Sequence, residues 1–199
     1  MTTITHLECS LCGKTRPAGQ PHNLCECGGP LLVRYDLEKA RQSWSREWIE
    51  SGPPHMWRYA PVLPVSKPSS IVTLGEGLSP MTRTERLGKR LGGSDVWVKD
   101  EGIQPTGSFK ARGLSCALSM CKEFGIQKIA IPSAGNAASA AAAYAAAAGI
   151  EAHIFMPKDV PNSNYVECKA FGAHVTLVDG LISDCGRMVA ERKDKEGWF

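Results

Sequence analysis

Lys128-Ile129-Ala130-Ile131-Pro132-Ser133-Ala134-Gly135-Asn136, the alanine-rich run on to Ala148, and the apolar run Ala152 to Met156 decide the fold. A short apolar run, a small-residue loop, a helix-forming stretch and a second apolar run make a strand–helix–strand unit. The alternation continues. Ile129 to Pro132, Ala152 to Met156 and His174 to Val178 read as buried strands, with helices over Asn136 to Ala148, Asn162 to Phe171 and Ile182 to Lys195. Strands separated by helices pair in parallel, so the fold class is α/β with an open parallel sheet and flanking helices. In that architecture ligands sit beyond the carboxyl ends of strands, which points to the loop Ser133 to Asn136. The alanine helix after it combines high propensity with the smallest side chain that avoids glycine's entropy cost, and so permits close approach.

Working back along the chain, Lys99-Asp100-Glu101-Gly102-Ile103-Gln104-Pro105-Thr106-Gly107-Ser108-Phe109-Lys110 leads from a strand over Val96 to Asp100 into a helix from Phe109. Pro105 and Gly107 punctuate the turn, and Ser108 is the expected N-cap. Lys110 then stands in the first helical turn, where backbone N–H groups favour a free amine of the kind that forms imines. Taken alone, the same lysine also reads as a solvated surface residue, and Asn136 as a capping amide.

Further upstream, Thr84 to Leu91 predicts a short helix and Asp36 to Glu50 a longer one, ended by Gly52-Pro53-Pro54. The aromatics of Met56 to Val65 read as packing. At the N-terminus, Cys9-Ser10-Leu11-Cys12-Gly13 and Cys25-Glu26-Cys27-Gly28-Gly29 form two knuckles on a hairpin-length loop. Two close-spaced cysteine pairs can supply the four thiolates of a closed tetrahedral zinc site, which makes Cys9, Cys12, Cys25 and Cys27 candidate structural ligands. His6 and His22 lie near enough in sequence to substitute. A ribbon of this kind can also bind nucleic acid, but residues 9 to 29 hold only Lys14 and Arg16 as strong bases and no aromatic, so no nucleic-acid partner is expected. Cys116, Cys121, Cys168 and Cys185 have no metal spacing and read as small hydrophobes.

Composition narrows the class further. With 199 residues, 43% apolar and 22% charged, the chain can bury a core, and a net charge of +3 leaves no basic stripe. The mixed run Glu191 to Glu196 reads as a solvated helix face. The start has neither the basic nor the apolar region of a signal peptide, and the alanine run is shorter than the roughly 20 apolar residues a bilayer requires. The expected location is cytoplasmic, or the plastid stroma in a eukaryote, with no membrane partner.

Three segments in order carry a family resemblance: Thr73-Leu74-Gly75-Glu76-Gly77-Leu78-Ser79-Pro80-Met81, Pro105-Thr106-Gly107-Ser108-Phe109-Lys110, and Ser133-Ala134-Gly135-Asn136. Together they resemble the pyridoxal-phosphate enzymes of the second fold type, the tryptophan synthase β-like family, and within it most of all the threonine synthases. The resemblance implies pyridoxal 5'-phosphate as cofactor, Lys110 as its imine-forming lysine, and Asn136 as the amide that hydrogen-bonds its phenolic oxygen. It further implies that Ser133, Ala134, Gly135 and Ala137 receive the substrate carboxylate. The implied reaction takes the small amino-acid phosphate O-phosphohomoserine, with water, to threonine and phosphate. Serine/threonine dehydratases and cysteine- or cysteate-type synthases share the lysine and the asparagine loop and stay open as alternatives, as does an inactive fragment acting as a zinc-ribbon module. A cysteine ribbon running into Gly28 to Leu31 and Tyr35 to Leu37 is similar to one subgroup of threonine synthases. Ala111 stands where many relatives have Asp, and Ser79 where Thr is usual.

The implied organisation is a zinc-ribbon-like segment over 1–35, a connector over 36–70, and the N-terminal part of a catalytic domain over 71–199. Relatives continue into a glycine-rich loop that grips the cofactor phosphate and a polar side chain that meets the pyridine nitrogen. This sequence therefore reads as a partial enzyme body that binds the cofactor weakly by itself, with a homodimer left open.

Overall fold

The computed structural model describes residues 2–93 and 95–199. Its first unit is a small antiparallel sheet in which β1 (Ile4–Cys9) lies between β2 (Thr15–Arg16) and β3 (Leu31–Tyr35). Only Thr3, Cys9, Cys25 and Gly29 are buried between residues 2 and 35, so this unit has almost no apolar core of its own. Thr3 ties it to the connector, donating from its backbone N–H and its hydroxyl to the Pro61 carbonyl, both at 2.9 Å.

The helix expected over Asp36 to Glu50 is two helices, α1 (Leu37–Gln42) and α2 (Arg46–Ser51). Serines cause the break. The Ser43 hydroxyl donates to the Lys39 and Ala40 carbonyls, each at 3.1 Å, and Ser45 accepts from the Trp48 N–H at 3.1 Å as the cap of α2. Hydroxyls that bond nearby backbone groups compete with helix continuation. A 3-10 segment, Met56–Val62, comes next, and it buries Met56 and Trp57.

β4 (Met81–Arg83) and β5 (Trp97–Lys99) form a separate antiparallel ribbon, with α3 (Glu85–Arg90) between them. The strand that leads to the lysine turn thus belongs to this ribbon and not to the parallel sheet. Past the turn come α4 (Lys110–Glu123), β6 (Lys128–Pro132), α5 (Asn136–Ala148), β7 (Glu151–Pro157), α6 (Asn162–Ala170), β8 (His174–Val178) and α7 (Ile182–Glu196). The strands pair in parallel in the order β6-β7-β8, with Ile131 opposite Ile154 and Ile154 opposite Val175. These are the helices and strands predicted from the alternating pattern, within one residue at most ends.

Period-two alternation sorts β7 onto two faces. Ala152, Ile154 and Met156 join the main core with α4 and α5, through Leu118, Ala138, Ala141, Ala142 and Tyr144. Phe155 faces the other way, packing with Val178, Cys185 and Trp198 beneath α7. Alanines bring α5 close to its neighbours: Ala138, Ala140, Ala141 and Ala145 are wholly buried. Burial pushes the Cys121 and Cys168 thiols up to about 11, which leaves them as protonated packing groups. Beside β6, Phe199 donates to the Lys128 carbonyl at 3.1 Å and accepts from Ala130 at 2.9 Å. Among the described residues no helix is long and apolar enough to cross a membrane.

Candidate active site and cysteine cluster

The lysine turn is a strained piece of backbone held from both sides. Thr106 sits at φ 59°, in the left-handed region that residues other than glycine rarely occupy, and Gly107 follows at φ 65°. Ser108 is extended, at φ −158°, and does not cap the helix. The N-cap of α4 is Phe109, with no side-chain hydrogen bond, and Lys110 is the first helical residue. Both the Thr106 and the Ser108 hydroxyl are buried, and neither has a hydrogen-bond partner among the described residues. Lys110 itself is half-buried, its Nζ 4.7 Å from the centre of the exposed Phe109 ring.

The second loop leaves the carboxyl end of β6, as the topology rule predicts. Ser133 donates its N–H to the Phe155 carbonyl at 3.0 Å, and Asn164 donates its amide to the Ala134 carbonyl at 3.0 Å. Gly135 is the N-cap of α5 and makes no side-chain bond, so Asn136 is the first helical residue with its amide exposed rather than capping. The backbone N–H groups of Asn136 and Ala137 have no acceptor among the described residues. They form a positively polarised helix end of the kind that receives a carboxylate. Here α5 packs on both α4 and the Pro105–Gly107 turn, which brings the two candidate segments together.

The residues that hold these segments were not legible as a site. Glu76 is wholly buried. Its Oε1 lies 2.6 Å from the Ser115 hydroxyl and accepts from Trp57 Nε1 at 3.2 Å. Its Oε2 accepts from the Tyr144 hydroxyl at 2.5 Å, the Leu74 N–H at 3.0 Å and the Thr73 hydroxyl at 3.2 Å. Burial alone would raise this carboxyl's pKa; the bonds from Ser115, Tyr144 and Leu74 outweigh it and hold the group below the usual carboxylate range. Tyr144 is pushed up by its burial and by the same carboxylate. One signal was available: a lone tyrosine in an alanine run needs a partner for its hydroxyl.

Next to Glu76, Gly77 donates to Gln104 Oε1 at 2.8 Å and accepts from Gln104 Nε2 at 3.3 Å. At φ 130°, a Cβ on Gly77 would lie 2.6 Å from the Met56 backbone nitrogen, so only glycine fits. Ser79 donates to Glu101, which grips Arg112 through two bonds of 2.7 and 2.9 Å. Those bonds from Arg112 and Ser79 bring the Glu101 carboxyl down to about 2.

In the N-terminal sheet unit, the sulfur atoms of Cys9, Cys12, Cys25 and Cys27 all lie within 4.8 Å of one another. Positive-φ Gly13 and Gly28 close the two knuckles. The backbone N–H groups of Cys12 and Leu11 point at Cys9 Sγ and draw its thiol down to about 6. A Cβ on Gly29 would lie 2.7 Å from that sulfur, so the cradle requires glycine. His6 and His22 stay outside the cluster: His6 bonds the Thr5 hydroxyl at 2.9 Å and His22 the Pro17 carbonyl at 3.2 Å. Lys14 and Arg16 are both committed to Glu26, at 3.4 and 2.6 Å.

With this geometry in place, comparison with known proteins is informative. Threonine synthase from Methanocaldococcus jannaschii is 36% identical over 184 residues, which cover 92% of this chain and 45% of that protein. Threonine synthase from Synechocystis is 41% identical over 128 residues, 63% of this chain and 34% of that protein. The solved structure of processed threonine deaminase isoform 2 from Solanum lycopersicum superposes with a TM-score of 0.55 at 28% identity, over 60% of this chain and 33% of that one. The chain thus spans less than half the length of these curated relatives. Residues 72–199, which hold the lysine turn, the asparagine loop and the parallel sheet, match the family described as pyridoxal-phosphate dependent enzyme, and the chain belongs to that family.

Proposed function

We propose that this chain supplies the lysine-bearing half of a threonine synthase site, with Lys110 as the residue that holds pyridoxal phosphate. The carrying observation is coverage. The threonine synthase likeness spans 92% of the chain and so reaches far into the first 71 residues, while the threonine deaminase structure matches 60%. The residues present suit the cofactor. An amine opens α4, two buried hydroxyls beside it lack partners, and free N–H groups open α5 next door.

When bound, pyridoxal phosphate supplies an electron sink for the charge left as a proton departs from the carbon beside an amino-acid nitrogen. The chain's own residues do the rest. Lys110 would hold the cofactor through its amine and, when that amine is free, would move protons at the substrate's α- and β-carbons. The exposed amide of Asn136 would help hold and tune the cofactor ring. The free backbone N–H groups of Asn136 and Ala137, carried by the Ala134-Gly135 loop, would orient the substrate carboxylate; the Ser133 N–H expected to join them is already given to the Phe155 carbonyl and anchors the loop instead, and the Asn164 amide keeps that loop in register. The substrate in this reading is O-phosphohomoserine.

In the N-terminal unit, Cys9, Cys12, Cys25 and Cys27 would hold one structural zinc. Four sulfurs this close, with N–H groups aimed at Cys9, suit a dication, and four protein ligands leave no open position for catalysis.

To test the reading, the chain is incubated with pyridoxal phosphate, reduced with borohydride and mapped by mass spectrometry. Label is expected chiefly on Lys110 and lost in Lys110→Ala; label spread evenly over surface lysines overturns the assignment. Phosphate released from O-phosphohomoserine supports the substrate. Ammonia from threonine without phosphate release reverses the choice in favour of a dehydratase.

A further inference from the structure

We propose that Glu76 is a positioning residue, a single buried carboxylate that sets how the helix carrying Lys110 sits against the helix opening at Asn136. The inference rests on the reading of those two residues as partners in one site. Its basis is where the hydrogen bonds go. Ser115 lies on α4, little more than one turn past Lys110, and Tyr144 lies on α5, two turns past Asn136; both meet the same carboxylate, at 2.6 and 2.5 Å. Trp57 brings the connector to the same point, and the Glu76 carbonyl accepts the Met56 N–H at 2.7 Å.

The chain on either side of Glu76 extends the same device. Gly77 is clamped to Gln104, and Ser79 is tied to Glu101 and Arg112, so residues 73–79 grip the lysine turn before it and the helix after it. A wholly buried carboxylate with no cation in salt-bridge contact among the described residues is costly to desolvate. An apolar residue would serve cohesion alone. What a carboxylate adds is direction: its donors come from separate elements, and sliding either helix by one residue breaks its bond.

The test compares the chain with Tyr144→Phe, which removes only the α5 tie, and Glu76→Gln, which places an amide donor among donors. Amide hydrogen exchange is read by segment. The expected result is exchange faster by about tenfold or more at 111–116 and 138–144 with β7 and β8 unchanged. A uniform rise across the sheet, or no change in either variant, overturns the proposal. Reductive labelling with pyridoxal phosphate is the second arm: in Tyr144→Phe the share of label on Lys110 is expected to fall by about threefold or more, and an unchanged share overturns the proposal. Should the unmodified chain show no preference for Lys110, the assignment of the cofactor lysine fails, while the exchange pattern still decides the role of Glu76.

Discussion

The cysteine ribbon and the alanine-packed body solve the same problem by opposite means. Residues 2–35 bury four side chains or backbone positions, two of them cysteines, and leave Leu11 and Leu24 mostly exposed. A unit this small gains little from apolar burial to offset its chain entropy, which is the setting in which the proposed metal would act as a staple. The body from β6 to α7 does the reverse: small side chains on α5 let helix and sheet approach until Tyr144, Ile154 and Met156 are wholly buried. Local chemistry organises the first region and close packing the second. Damage to the one should therefore leave the other standing.

The largest effect is expected from Cys9→Ser. With the zinc proposed for this cluster, binding energy on the order of 10 kcal/mol would be coupled to folding, so zinc content by atomic emission should fall to background. Exchange protection across 4–35 should be lost and that across β6–β8 kept. Loss of protection in both regions would mean that the ribbon and the body fold as one unit.

Ala141→Leu strikes the other region. Ala141 has no exposed surface and sits in the main core, so the added volume should cost about 1–3 kcal/mol, read as a lower urea midpoint with zinc content unchanged. A smaller change is expected at the boundary. Asp36 caps α1 by accepting the Lys39 N–H at 2.9 Å, and Asp36→Ala should cost about 1 kcal/mol without altering zinc content or the sheet.

The smallest effect concerns acid. Glu101 has its pKa depressed in the folded chain, so the stability it contributes is complete above about 4.5 and is lost as pH falls from there towards about 2. Glu101→Gln should flatten the acid limb of a thermal-denaturation series over that window, meeting the unmodified chain near pH 2 and lying slightly below it at neutral pH, a small loss because the pair is partly exposed and screened. An acid limb of unchanged slope would assign acid sensitivity to other carboxylates, Glu76 foremost.

These regions also differ in how much of them could be read from sequence. Cysteine spacing with its glycines is a local pattern, and the four sulfurs converge as their spacing suggests. The alternation from Lys128 onward is local too, since hydrophobic period and helix propensity act over a few residues, and those strands and helices form within a residue or so of their predicted ends. Other readings missed. The serines at 43 and 45 split one expected helix because their hydroxyls found nearer backbone partners than a continuing helix offered. Ser108 does not cap because the helix begins one residue later, with Phe109 at the N-cap after a turn that passes through left-handed Thr106 and Gly107, and its hydroxyl is buried without a partner. Nor did the Leu-Gly-Glu-Gly segment, legible as a motif, disclose what its glutamate does.

By itself, then, the order of residues determined what depends on neighbours in the chain: the ribbon's thiols, the alternating strands and helices, and the lysine and asparagine each placed at the start of a helix. Only the tertiary structure decided which distant groups meet. Ser115 and Tyr144 come from 39 and 68 positions away to a carboxylate that no periodicity marks. The physical reason is that hydrogen bonding of a buried charge is a condition on the whole packing. It is satisfied by whichever donors the folded layers bring within reach, and it leaves no repeating trace along the chain.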